Sequence, residues 1–223
     1  MTASEFVYEK CVLTAIQALD SKDSELCDHS VHVAITATDI ARQMREGSFS
    51  SSLPDTRDIF IAGIIHDIGK LFVDDSILTK KSNLDTQEHE IVRQHTQCGF
   101  SLLSTDEELC HLAPYALQHH ERPGKKGYPL HLDTDDIMPT SRIINIADRF
   151  TGMLVDRPYR KAIPVEQILP DLIEDIDDFF GDHAPDIIDT LLSTDKSALE
   201  CAANSYLMSM GITRQSEQSL ITP

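Results

Sequence analysis

Ten histidines stand in a chain of 223 residues, and five of them, His29, His66, His95, His119 and His120, sit in contexts unlike scattered surface usage. Taken singly, such a histidine is ordinarily a core residue satisfied by hydrogen bonds, or a solvated one. Beside acids in apolar stretches it becomes a candidate metal ligand. His66-Asp67 closes the most apolar part of the chain, in GIIHDIGK, where an unpaired carboxylate is costly to bury. A metal ion resolves that cost, and imidazole with carboxylate oxygen is a mixed ligand set suited to iron, manganese or zinc, distinct from a thiolate site. His119-His120 is an adjacent pair whose rings cannot point the same way along a helix, so a functional pair needs a helix end or a turn feeding two metals. Glu121, Pro123 and Gly124 follow and supply the turn. Asp148 in RIINIADRF is a second acid embedded in an apolar helical stretch, with a solvent-facing position as its plain alternative.

Those side chains need rigid elements to hold them. The apolar spacing is helical along the chain, without period-two runs bounded by Asn-Gly or Asp-Gly turns, so the expected fold class is all-α. The spacing predicts a helix from Ser24 to about Glu46, stopped by Gly47, with Leu26, Ser30, Val33, Ala37, Ala41 and Met44 as its buried stripe. Ser48, Ser50, Ser51, Ser52 and Pro54 read as a loop. Thr56 to about Ile68 is apolar nearly all round and is expected to be the central, most buried helix. Asp85 with Glu88 reads as a capping box opening a helix that carries Ile91, Val92 and His95. Further helices are predicted near 109–118, 141–155, 165–179, 185–192 and 197–210, the last ended by Gly211 and followed by a frayed tail. With no internal repeat and no dividing linker, residues 1–195 read as one domain and 196–223 as a C-terminal helix and flexible tail.

Charge narrows the partners. Against 37 Asp and Glu stand 19 Lys and Arg, a formal charge of -18, which repels phosphate backbones and argues against a DNA or RNA polymer or an anionic membrane as partner. Cys11, Cys27, Cys98, Cys110 and Cys201 form no CxxC pair and are expected to be reduced core residues. The N-terminus lacks a basic region followed by an apolar run, and no stretch approaches 18 apolar residues. Neither secretion nor membrane spanning is expected, and a cytoplasmic protein follows.

HDIGK at 66–70, His95 within RQHTQCG, HHER at 119–122, GYP at 127–129 and RIINIADRF followed by DRPYR at 156–160 resemble, in order and spacing, the HD-GYP branch of the HD-domain metal-dependent phosphohydrolases. The resemblance covers about residues 10–195. It implies an HD-domain helical bundle with an internal di- or trinuclear site of two or three divalent ions, usually iron or manganese, that hydrolyses cyclic di-GMP to linear pGpG, GMP or both. Carried over position by position, the metal ligands are His29, His66, Asp67, His95, His119, His120 and Asp148. The three-metal subset adds a glutamate four residues before the first histidine, and Glu25 stands there, on the same helix flank as His29. Its plain alternative is a solvated first-turn glutamate favoured by the helix dipole. In this scheme the ions activate water for in-line attack on the phosphodiester. Asp67 and Lys70 form the catalytic pair, with Lys70 stabilising charge or protonating the leaving oxygen. Tyr128, Arg157 and Arg160 contact the substrate, the two arginines spaced for a two-pronged phosphate grip, with a surface salt-bridge pair as their alternative. Screening over about 8 Å leaves such local charges in control despite the overall acidity.

Two departures mark this chain. The family's HHERxDGxGYP is here HHERPGKKGYP, with Gly124-Lys125 in place of Asp-Gly, and the second acid of ADxFDA is Thr151. The altered loop is the feature that favours a non-catalytic cyclic-dinucleotide sensor or partner-binding module, while the intact ligand set favours an enzyme. A phosphohydrolase acting on another nucleotide is the third reading, against which GYP and RPYR argue. With no receiver or sensor segment before the core, regulatory input is expected through separate signalling partners, oligomerisation or the metal state.

Overall fold

The computed structural model describes residues 3–44, 53–156 and 161–213, and among them every regular element is a helix. In chain order these are α1 (Ala3–Lys22), α2 (Ser24–Gln43), α3 (Thr56–Ile65), α4 (Asp75–Leu78), α5 (Thr86–Arg93), α6 (His95–Leu103), α7 (Ala113–Gln118), α8 (Pro139–Leu154), α9 (Val165–Ile168), α10 (Ile173–Phe180), α11 (Ala184–Leu192) and α12 (Lys196–Ser209). No helix among the described residues is long and apolar enough to cross a membrane.

Local chemistry sets the helix starts. Asp23 accepts the backbone N–H groups of Glu25 and Leu26 at the head of α2, and Asp195 accepts that of Ala198 at the head of α12. The capping box expected at Asp85 is present: its side chain accepts the Glu88 N–H, and Glu88 reaches back to the Asp85 N–H at 2.8 Å.

The hub is α2, which packs against α1, α3, α8, α11 and α12. Its predicted stripe is buried from Leu26 to Met44. Although α3 is also buried, with Ile59, Ile64 and Ile65 fully enclosed, it shares the centre with α2 rather than holding it alone. Each of those isoleucines contributes about 1.5–3 kcal/mol relative to exposure. Leu199, Ala203 and Leu207 of α12 enter the same core, and Tyr206 meets Phe60 edge-on with ring centroids 5.0 Å apart.

Several expectations need correction. The helix predicted to reach Ile68 stops at Ile65, and a tighter 3-10 turn spans Ile68–Phe72. His66 and Asp67 are both buried just past the helix end, with Asp67 Oδ2 3.1 Å from His66 Nε2. The helix that carries His95 is broken at Gln94 into α5 and α6. The segment 165–179 is interrupted by a 3-10 turn at Leu169–Asp171, where Pro170 withholds a helix donor, and 109–118 opens as a 3-10 turn at Cys110–Leu112 before α7. Helix α1 was not among the predicted elements. Gly47, the serine loop to Ser52 and the tail after residue 213 lie outside the described residues. All five cysteines are free, but only Cys27 is a core residue: Cys11 and Cys98 are half-buried, and Cys110 and Cys201 sit exposed on polar helix faces.

Candidate metal centre

Five elements deliver the predicted ligands to one interior. His29 comes from α2, His66 and Asp67 from the turn after α3, His95 from the first residue of α6, His119 and His120 from the end of α7, and Asp148 from α8. Their ligand atoms form two groups, Asp67 with His95, His119 and His120, and His29 with His66 and Asp148, each within 4.8 Å internally.

Three imidazoles are fixed in the same way. Nδ1 of His66 lies 2.7 Å from the Gly63 carbonyl, that of His95 2.6 Å from the Val92 carbonyl, and that of His119 2.9 Å from the Ala116 carbonyl. A carbonyl only accepts, so Nδ1 carries the proton in each ring and Nε2 presents a lone pair inward. The consequence is an unusual confrontation of acceptors. His95 Nε2 and His119 Nε2 face each other at 3.2 Å, and Asp67 approaches His66 Nε2 at 3.1 Å and His95 Nε2 at 3.2 Å. His66 Nε2 and Asp67 Oδ1 are buried and take no hydrogen bond. Lone pairs pointed at lone pairs in a dry interior are costly, and a divalent cation between them is the group that fits this donor set.

The second group closes on itself at one contact, while its His66 Nε2 stays unanswered. His29 Nε2 lies 2.8 Å from Asp148 Oδ1. His120 links the groups: it belongs to the first by position, yet its Nδ1 faces Asp148 Oδ2 at 3.9 Å, while His119 Nε2 faces Asp67 Oδ1 at 3.8 Å. The adjacent rings therefore diverge toward different carboxylates from a helix end, their centroids 4.0 Å apart.

Burial and its neighbouring rings hold His119 well below the usual histidine range, and burial pushes His120 down to about 3, so both stay neutral at neutral pH as ligands must. Burial works against the charge of Asp67, but the Lys70 ammonium beside it outweighs this and keeps its carboxyl well below the carboxylate range. At Asp148 burial is likewise outweighed, mainly by His29.

The remaining predicted residues are placed unequally. Lys70 donates to Asp67 Oδ2 at 2.6 Å. Tyr128 stacks on His120 with centroids 4.7 Å apart, and burial raises its phenol above the usual range. Glu25 is exposed in the first turn of α2 and belongs to neither ligand group, but it lines a cavity of about 240 Å³ together with Asp28, His29 and His32. Arg157 and Arg160 lie outside the described residues. In the altered loop, Lys125 pairs with Asp133 at 2.9 Å and Lys126 with Glu174 at 3.3 Å, both exposed contacts that water and salt screen. Thr151 is buried and donates to the Ala147 carbonyl of its own helix.

Sequence reasoning missed the supports of this centre. Glu121 is fully buried, and its carboxylate accepts the N–H groups of Leu130 and Leu132 at 2.6 and 3.0 Å, binding the segment after GYP to the HHE turn. Asn145 donates to the carbonyls of His119 and Glu121. Buried Asp175 of α10 accepts from Arg122 and Arg149, joining the HHER turn to α8. Two glycines matter by close approach. A Cβ on Gly69 would collide with the His95 carbonyl, and one on Gly127 with the backbone of His120, Glu121 and Arg122.

A bundle whose described elements are all helical, and which gathers imidazoles and carboxylates from separate elements, defines a helical domain with a cluster able to hold metal ions. A model of the HD domain family matches residues 14–181, and the chain belongs to that family. It is 34% identical over 172 residues to 3'3'-cGAMP-specific phosphodiesterase 3 of Vibrio cholerae, covering 76% of this chain and 36% of that protein. It is 32% identical over 204 residues to a cyclic di-GMP phosphodiesterase of Thermotoga maritima, covering 87% of this chain and 53% of the relative. The chain thus spans about half the length, or less, of these relatives. The fold is shared with the HD domain of the Listeria monocytogenes phosphodiesterase PgpH, with a TM-score of 0.60 at 18% identity, over 80% of this chain and 95% of that one. The same domain in complex with cyclic-di-AMP matches with a TM-score of 0.59 at 18% identity, covering 80% of this chain and 94% of that one.

Proposed function

We propose that this chain is a metal-dependent phosphodiesterase of HD-GYP type that hydrolyses cyclic di-GMP to linear pGpG, GMP or both. The observation that carries this reading is the convergence of imidazole lone pairs on a carboxylate whose buried Oδ1 is unsatisfied. The named activities of the relatives supply the substrate class. Bound divalent ions supply Lewis acidity for the phosphoryl oxygens and a water acidic enough to be deprotonated near neutral pH. The protein's own groups do the rest. Backbone carbonyls lock the rings of His66, His95 and His119 in one tautomer, so the coordinating atoms need no rearrangement. Lys70, hydrogen-bonded to Asp67, sits beside the reacting phosphate to stabilise its charge and to protonate the departing 3' oxygen as the P–O bond breaks. Tyr128, Arg157 and Arg160 hold the substrate, the arginines by charged hydrogen bonds to phosphate. In this reading the ions are iron or manganese, Glu25 joins His29 at a third ion, and the chain works in the cytoplasm with protein signalling partners. Residues 1–195 form the hydrolase unit and 196–223 its C-terminal extension.

A second substrate, 3'3'-cGAMP, is favoured by the similarity to the relative specific for it. The test is incubation of metal-analysed protein with cyclic di-GMP and, in parallel, with 3'3'-cGAMP, resolving linear dinucleotide and mononucleotides over time. Time-dependent pGpG from metal-loaded protein, abolished by metal removal and restored by iron or manganese, is the expected result. Binding of cyclic di-GMP without turnover of any cyclic dinucleotide would overturn it in favour of a sensor.

A further inference from the structure

Beside the metal centre runs a groove of about 240 Å³, lined by Glu90, Arg93, Gln94, Gln97, Tyr128 and Pro129, with His131 at its edge. One wall is a single helical stripe at positions i, i+3, i+4 and i+7 that continues across the junction of α5 and α6. Such a stripe ordinarily carries apolar residues, whereas here all four are polar or charged. Gln94 keeps right-handed helical geometry (φ -63°, ψ -16°) at that junction, so the stripe is unbroken. The other wall is the flat ring of Tyr128 followed by Pro129.

Arg93 ties the walls together. Its guanidinium sits 5.0 Å from the Tyr128 ring centroid, and one Nη donates to Glu90 at 2.8 Å. Among the described residues its Nε and other Nη take no partner, leaving planar donors at the groove. Tyr128 is the partition between this groove and the metal site, because its ring stacks on His120.

We propose that this groove is a guanine subsite and that Arg93 is its specificity-determining residue. The inference rests on the cyclic dinucleotide reading and deepens it. A phosphodiester held at the metals carries its nearest base one sugar away, in the next compartment of the surface. The groove is smaller than the roughly 300 Å³ at which pockets begin to enclose a whole drug-sized ligand, so it takes one base rather than the dinucleotide. Its composition matches the edge of a purine: amides of Gln94 and Gln97 and a guanidinium fork, the latter steadied over the Tyr128 ring. The fork decides the base, because arginine bonds bidentately to guanine O6 and N7, whereas adenine offers a donor where guanine has O6.

The test compares Arg93→Ala, Arg93→Lys and Gln97→Ala with the wild type as full-chain, metal-loaded enzymes. Substrates are cyclic di-GMP, cyclic di-AMP and the baseless diester bis(p-nitrophenyl) phosphate, and equilibrium binding of GMP and AMP is measured alongside. Arg93→Ala is expected to raise KM for cyclic di-GMP about tenfold more than for the baseless diester or cyclic di-AMP, the scale of one bidentate contact. GMP binding should weaken similarly while AMP binding changes little. Arg93→Lys should restore only a small part, since an ammonium lacks the fork. Gln97→Ala should give a weaker effect in the same direction. Equal losses on all three substrates would overturn the proposal, showing that Arg93 acts only through Tyr128 and the metal site. No loss on any would also overturn it. If the wild type turns over no cyclic dinucleotide, the enzyme reading falls separately, and the subsite is decided by the GMP and AMP measurements.

Discussion

The two ligand groups are built from the same residue types, and each contains an imidazole clamped by a backbone carbonyl, but they differ in whether ligands already answer one another. In the first, His95 and His119 are clamped by carbonyls of their own helical turns, and Asp67 is held by Lys70. Among the described residues, nothing donates to their inward-facing lone pairs. In the second, His29 and Asp148 answer each other directly at 2.8 Å. The first is a preformed site whose satisfaction depends on a cation, and the second is a site that must open a contact of its own to take one. The difference teaches that two groups of like residues can differ in how far they are satisfied without a cation: the second answers itself at His29 and Asp148 while leaving His66 Nε2 unanswered, so the groups should differ in occupancy and in what each mutation costs.

The strongest way to break this comparison is Asp67→Ala. Asp67 faces His66, His95, His119 and Lys70 at once, so its loss should remove most bound metal and lower kcat by about a thousandfold or more, near 4 kcal/mol of barrier. Metal analysis and turnover on one preparation check it. Asp148→Ala should act on one half only: about one ion per chain leaves, the first group keeps its own, and the rate falls about a hundredfold. Equal loss of every ion in both variants would merge the halves into one cooperative unit.

Glu121→Gln sharpens the comparison by leaving both groups untouched while disturbing the segment that carries Tyr128. One of two charged hydrogen bonds to Leu130 and Leu132 is replaced by a donor facing a donor, at about 1.5–3 kcal/mol. A lowered Tm and a KM raised about tenfold with metal content intact are expected. The smallest effect belongs to Glu25→Gln. As a ligand it should cost about one ion per chain in elemental analysis. As an exposed helix-start glutamate it would cost only about 0.3–1 kcal/mol of stability and no metal.

Much of this was legible in the sequence because it was written in local signals. The capping box at Asp85 is four residues long, and the stripe of α2 repeats at helical spacing from Leu26 to Met44. Both can be read without knowing what lies opposite. The stripe of α1 was legible too, since Tyr8, Val12, Ile16 and Leu19 are buried at helical spacing. It lacks a marked boundary, because the helix runs to Lys22 and Asp23 at once caps the next. The supports were not legible for a different reason. Glu121 is satisfied by backbone N–H groups, which have no residue signature, and Asp175 is one of four acids in IEDIDDFF whose partners lie 53 and 26 residues away. The sequence also could not show the break at Gln94 or the end of α3 at Ile65, since both follow from where buried side chains must converge rather than from propensity.

The Asp175 junction carries an implication for descent. One buried carboxylate receives a guanidinium from the HHER turn and another from α8. Removing the acid alone leaves two cations facing one another, and removing either arginine leaves the buried anion one partner where it had two. Each single step away is penalised, while an exchange of all three for packed neutral side chains is not. Positions 122, 149 and 175 are therefore expected to vary as a correlated triplet among homologues, and an alignment in which they drift independently would show that the junction is dispensable.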